Sequence, residues 1–234
     1  MNPFLFFEKI YCINLEERLD RWEKCLEIFK KYEIENFERV NGIKIPKDYF
    51  SYIEEKSKSQ LGCALSFYTI IKNAYNNQFS NILIFEDDFY FIHSKEKTEE
   101  VLSNSIGNLP EEWDVFYLGA NIMYDYCANP VSLFSKYLFK INSAYCMHSI
   151  AFSRKGISTF IKKFPDEFIF VSSILDFYKA IDVFMAKEFC TDNLCFICDE
   201  MLCSQIPGFS SIENCMTDYS DLIVRHEKTI NSIK

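Results

Sequence analysis

Glycine and proline are scarce, with six of each in 234 residues, against typical shares of about 7% and 5%. A glycine-rich phosphate loop therefore has little material to be built from. There are two tryptophans and three histidines, His93, His148 and His226. No run of five or six like charges marks a solvated tail or a nucleic-acid arm. Apolar runs are short, as at 81–85, whereas a bilayer-spanning helix needs about 20 apolar residues. The N-terminus MNPFLFFEKI has no basic region before its apolar patch and no small-residue cleavage site. It reads as mature chain, and there is no Asn-x-Ser/Thr sequon.

What is present is a globular composition: 49% hydrophobic, 25% charged, with 24 Phe and 14 Tyr. At this length roughly 70% of the unfolded chain's surface can be buried. The net charge of −9 argues against a nucleic-acid partner. Ten cysteines without a secretory leader read as free thiols in a reducing, cytoplasmic setting. No linker or repeat divides the chain, so one domain over 1–234 is expected.

Strand and helix patterns alternate. Residues 9–15 (KIYCINL), 37–40 (FERV), 82–85 (ILIF), 114–118 (DVFYL) and 148–152 read as strands, with 194–197 (LCFI) as the last. Leu19, Trp22, Leu26 and Phe29 mark a helical face over 18–32. Ser57-x-x-Gln60 reads as a capping box opening a helix that presents Leu61, Ala64, Leu65, Tyr68, Ile71 and Tyr75. A helix with Ile157, Phe160, Ile161 and Phe164 follows the 148–152 strand. Ser172 or Ser173 caps a longer one bearing Ile174, Phe177, Tyr178, Ile181 and Met185. Residues 121–145 lack a period and read as a loop with one hairpin. The fold class expected is α/β, a largely parallel Rossmann-like sheet with flanking helices.

The sharpest chemical feature is Glu86-Asp87-Asp88 after the apolar run ILIF. In open α/β sheets ligands bind beyond the carboxyl ends of the strands. In extended chain Glu86 and Asp88 share a face and could hold Mg²⁺ or Mn²⁺ through oxygen, with Asp87 pointing away. The plain alternative is a solvated acidic turn. Arg18 and Arg21, three apart at a helix start, could hold a pyrophosphate, or simply pair with neighbouring acids. Asp182 falls among Leu175, Tyr178 and Met185 on an apolar helical stripe, where burial raises a carboxylate's pKa toward that of a useful base. His148 could help close a metal or sugar site, or be a satisfied strand histidine; His93 and His226 read as surface residues. Cys195-x2-Cys198, within the set Cys190, Cys195, Cys198 and Cys203, is a zinc cue. In a strand, however, residues three apart face opposite ways, and core cysteines are the better reading.

Taken in order, IYCINLEERLDRW, FERVNGI, QLGCALSFYTIIKNA, ILIFEDDF, WDVFYLGANI, MHSIAFSRKGI, AIDVFM and QIPGFSSIEN resemble glycosyltransferase family 25. The likeness runs from about residue 10 to 214. It implies a GT-A fold, with a donor-binding half at about 9–120 and an acceptor-side half at about 121–215. It implies a UDP-sugar donor carrying galactose or glucose, and Mn²⁺ or Mg²⁺. It implies transfer to a glycan or hydroxylated protein acceptor, with inversion. By position Glu86, Asp87 and Asp88 match the family's DxD-like motif, Arg18 and Arg21 its donor-side loop, His148 its His-Ala-Tyr strand and Asp182 its Val-Asp motif. Phe67 stands where the family usually has His, and Ser59-Gln60 where it usually has Gly-Glu. A catalytically weak sugar-binding protein and a zinc or redox module on the cysteines are the alternative readings.

Overall fold

The computed structural model describes residues 2–46, 48–49, 53–210 and 215–234. Along the chain run β1 (Lys9–Asn14), α1 (Leu19–Lys31), β2 (Phe37–Asn41), α2 (Glu55–Asn76), β3 (Asn81–Glu86), β4 (Phe89–Phe91) and α3 (Lys95–Ile106). Then come β5 (Val115–Tyr117), β6 (Asn121–Ile122), β7 (Val131–Leu133), β8 (Leu138–Ile141), β9 (Ala144–Tyr145), β10 (Ser149–Ser153), α4 (Arg154–Lys163) and α5 (Glu167–Ser173). The last part holds α6 (Ile181–Phe184), α7 (Cys190–Asp192), β11 (Cys195–Cys198), β12 (Cys203–Gln205), β13 (Gly208–Ser210), β14 (Cys215–Thr217) and α8 (Asp221–Asn231). Among the described residues no helix is long and apolar enough to cross a membrane.

Eight strands form the main sheet in the order β2-β1-β3-β10-β5-β11-β8-β7. β1 runs parallel to β2 and β3, and β5 parallel to β11. β10 lies antiparallel between β3 and β5, and β8 antiparallel to β11 and β7, so the sheet is mixed and not largely parallel as the alternating pattern suggests. The α/β class with flanking helices is as expected from the alternating patterns.

Period-two alternation sorts each central strand into two cores. Tyr11, Ile82, Ile84, Val115, Tyr117, Ile150, Phe152, Cys195 and Ile197 face the layer that contains residues of α2, α4 and α5. Ile10, Cys12, Leu83, Phe85, Phe116, Leu118, Ala151, Phe196 and Cys198 face the layer that contains residues of α1 and α3. Cys195 and Cys198 therefore lie in opposite layers, as strand geometry requires, and all ten cysteines are free thiols. Apolar burial on both faces explains why ILIF is a continuous hydrophobic run.

Several local expectations are corrected. Leu19 and Leu26 are exposed; the buried face of α1 is Cys25 and Phe29, with Trp22 and Ile28 partly covered. α2 begins at Glu55 with Glu54 as its cap and no side-chain cap bond, so Ser57 lies inside the helix. Residues 121–145 form four short strands, of which β8 joins the main sheet beside β11. β11 is not the last strand, since β12 pairs with β4 and β13 with β14. The long helix expected from Ser173 is broken: a π-helical segment spans Ile174–Tyr178, Lys179 adopts φ 66°, Ala180 is extended, and α6 starts afresh at Ile181. Lys179 N donates to Ile174 O at 2.7 Å, the wider bond that ends such a segment.

His226 is not a surface residue. It is 2% exposed, and burial holds its pKa down from 6.5 to about 4. Between those values the unfolded chain binds more protons than the folded one. The stability this histidine contributes is therefore complete above pH 6.5 and is lost as the pH falls toward 4. Between pH 7 and 5 the loss is on the order of 2 kcal/mol. Urea unfolding at the two pH values should show that loss shrinking in His226→Gln; an unchanged difference assigns the acid sensitivity to other groups.

Candidate active site

The acidic turn lies beyond the carboxyl end of β3, between two anchored aromatics. Phe85 and Phe89 stack with centroids 4.1 Å apart, pinning both ends of the Glu86-Asp87-Asp88 segment in the core. The backbone is held at each step. Glu86 N donates to His148 O at 3.0 Å, and Ile206 N to Asp88 O at 2.7 Å. Cys25 Sγ donates to Asp87 O at 3.5 Å.

The chain turns after Glu86, so simple alternation does not describe the three side chains. Asp87 does not point into solvent. It is buried, its Oδ2 accepting from Asn14 Nδ2 at 2.6 Å and its Oδ1 from Arg21 Nη1 at 2.7 Å. With both oxygens engaged by the protein, Asp87 braces the site. Asp88 Oδ2 lies 3.4 Å from the same Arg21 nitrogen, and Asp88 Oδ1 accepts from Gln205 Nε2 at 3.4 Å. Glu86 Oε1 accepts from Cys63 Sγ at 3.4 Å.

The electrostatics follow from this crowding. The Glu86 carboxyl is pushed up to about 8, first by burial and then by the charge of Asp88, with Asp87 and Asp182 adding; the Cys63 bond opposes the shift. Burial also raises Asp88, while Arg21 pulls it the other way. Near neutral pH Glu86 therefore holds a proton unless a positive group arrives. The two carboxylates suit a cation that completes its shell with phosphate oxygens and water. Among the described residues no group of three or more His, Cys, Asp or Glu side chains is arranged to hold a metal alone.

Asp182 stands within electrostatic reach of this turn, contributing to the shifts of Glu86, Cys63 and Cys146. It is half-buried in the first turn of α6, after the helix break, rather than midway along a continuous stripe. Its Oδ1 accepts from Val183 N at 2.9 Å. Cys146, on the same side, has φ 69°, a backbone state that cysteine rarely adopts and that is common at functional sites.

The other expected residues divide. Arg21 joins the acids, whereas Arg18 forms a two-point pair with Asp20, at 2.9 and 2.8 Å, on the exposed first turn. His148 is buried, with Nε2 3.3 Å from Cys203 O, and burial lowers its pKa to about 4. Its carbonyl supports Glu86 while its ring lies against the Cys203 backbone. Gly119 explains how closely this layer is built: a Cβ there would meet Cys203 O at 2.0 Å and His148 Nε2 at 2.8 Å. Phe67 is fully buried in the core, where it serves packing. Sequence reasoning missed Asn14, Cys63, Cys146 and Gln205. Asn14 was the most accessible of these, a polar residue closing an apolar parallel strand; its Oδ1 also accepts from Arg39 Nη2 at 2.5 Å.

An acid-rich turn beyond the ends of parallel strands is a ligand-binding arrangement of open α/β sheets. A family model described as glycosyltransferase family 25 (LPS biosynthesis protein) matches residues 7–173, and the chain belongs to that family. The last expected family element, QIPGFSSIEN, extends into residues 211–214, which lie outside the described residues. Human procollagen galactosyltransferase 2 is 27% identical over 137 residues, covering 50% of this chain and 21% of that protein. Procollagen galactosyltransferase 1-A of Xenopus laevis is 28% identical over 134 residues, covering 50% and 22%. The chain thus spans about a fifth of the length of these relatives. A glycosyltransferase involved in glycosylating the major capsid of PBCV-1 superposes with a TM-score of 0.40 at 9% identity, covering 96% of this chain and 98% of that one. Mannose-1-phosphate geranyltransferase of Thermus thermophilus gives 0.45 at 8%, covering 81% and 72%.

Arg21 is the group that makes the turn tolerable. Arg21→Met leaves Asp87 buried without its cation and should destabilise the fold by about 3 kcal/mol, the lower end of the cost of breaking a buried pair, since Arg21 is partly exposed. Adding Asp87→Asn should recover part of that loss, a coupling read by a double-mutant cycle in urea. Additive losses would mean that the pair does not hold the turn.

Proposed function

We propose that the protein transfers a hexose, galactose or glucose, from a UDP-sugar to an acceptor hydroxyl with inversion at the anomeric carbon. The observation that carries this reading is the gathering of Glu86, Asp88 and Asp182 charges beside Arg21 at the strand ends. The donor diphosphate would lie by the start of α1, where the helix N-terminus and Arg21 favour an anion. Glu86 and Asp88 would hold a divalent cation, Mn²⁺ or Mg²⁺, which when bound offsets charge on the diphosphate leaving group.

Asp182 is the base of the proposal. The acceptor O–H gives its proton to the Asp182 carboxylate while the oxygen lone pair attacks C1 from the side opposite the nucleotide. The C1–O bond to the diphosphate breaks, and its electron pair stays on the departing phosphate oxygen. The acceptor is a glycan or a hydroxylated side chain, bound on the side of the site that carries Asp182.

Two substitutions test separate parts. Asp88→Asn should abolish most Mn²⁺-dependent release of UDP while the circular dichroism spectrum stays native, because the residue sits at a strand end. Near-normal turnover would remove the metal assignment. Asp182→Asn preserves shape and removes basicity, so kcat for transfer should fall about 10²–10⁴-fold with UDP affinity by calorimetry nearly constant. Normal transfer with weakened UDP binding would place Asp182 on the donor side instead.

A further inference from the structure

Beside the acid cluster, a set of tyrosines has no part in the chemistry above. β6 pairs with β9, Asn121 opposite Tyr145 and Ile122 opposite Ala144, and the chain leaving β6 carries Tyr124, Asp125 and Tyr126 into solvent. Tyr124 is 61% exposed and Tyr126 38%. The Tyr126 and Tyr145 rings meet at 62° with centroids 6.2 Å apart. Tyr145 Oη donates to Tyr126 Oη at 2.9 Å.

This surface is continuous with the proposed site. β9 packs against α6, the element that carries Asp182. The Tyr145 phenol is raised by burial and by its bond to Tyr126, and the charges of both Asp125 and Asp182 contribute. One ring therefore lies within electrostatic reach of the outer carboxylate and of the proposed base.

We propose that Tyr124, Tyr126 and Asp125 form an acceptor platform that takes a neutral pyranose; this rests on the glycosyl-transfer reading above. The exposed faces of the rings suit the apolar C–H face of a sugar, and their tips suit its hydroxyls. Tyr126 accepts from Tyr145, which leaves its own hydroxyl proton to be donated outward. A sugar hydroxyl can accept that proton and donate its own to Asp125. Asp125 also repels phosphorylated or carboxylated sugars.

The test uses the full chain with Mn²⁺, UDP-galactose and UDP-glucose as donors, and two acceptor probes: para-nitrophenyl hexosides and a hydroxylysine peptide. Saturation-transfer NMR of hexoside binding is recorded in parallel, independently of turnover. Transfer to hexosides is expected to exceed transfer to the peptide. Tyr126→Ala is expected to raise the hexoside KM tenfold or more, with a smaller change in the donor KM. Tyr126→Phe, which keeps the ring and loses the donor, should fall between wild type and alanine. Preferential use of the peptide, or hexoside binding unaltered in Tyr124→Ala/Tyr126→Ala, would overturn the platform. Absence of donor turnover with hexoside binding that is lost in the double variant would count against the transferase reading while supporting the platform.

Discussion

Three consecutive carboxylates at the end of a buried strand set the terms for the rest of the structure. Like charges this close raise one another's pKa unless a cation intervenes. Arg21 supplies one guanidinium, and its geometry assigns it mainly to Asp87, at 2.7 Å, with Asp88 at 3.4 Å. Among the described residues Glu86 is left with a thiol as its partner. Three carboxylates with one guanidinium leave the turn short of positive charge, a shortfall that a proton on Glu86 or a bound cation relieves. The firm backbone anchoring by His148, Cys25 and Ile206 keeps the carboxylates from relaxing apart into solvent.

Much of this layout was legible because it follows from local rules. The run ILIF is apolar at every position since both faces of β3 are covered, and the acids come where that strand leaves the core. The alternation of Cys195 and Cys198 between layers follows from strand geometry alone. Other features escaped for physical reasons. The face of α1 was misread because Leu19 and Leu26 keep helical spacing yet face solvent, whereas Cys25, a small core residue, carries burial without standing out. β8 joins the sheet through pairing with β11, far along the chain, and short strands of this kind carry little period of their own. Asn14, Cys63 and Gln205 meet the acids from three separate elements, a convergence that only the tertiary fold creates. His226 is buried by α8 packing that no neighbour in the sequence announces.

The break before Asp182 is the most informative of these departures. The segment DFYKAID contains neither glycine nor proline, so no local signal stops the helix. The π-helical bond from Lys179 to Ile174, the positive φ of Lys179 and the extended Ala180 together turn the chain. The positive φ of Lys179 costs on the order of 1–3 kcal/mol and persists where the surroundings over-determine it. Here Ile174, Tyr178, Ile181 and Phe184 are buried on both sides of the break, so packing holds it open. The consequence is that Asp182 sits in the first turn of a new helix instead of midway along an old one. A carboxylate there interacts favourably with the helix dipole, which opposes the repulsion from Glu86. The same strain that interrupts the helix therefore lets a third acid remain beside two others, and with Cys146, also at positive φ, it marks the side of the site where Tyr145 and the tyrosine surface begin.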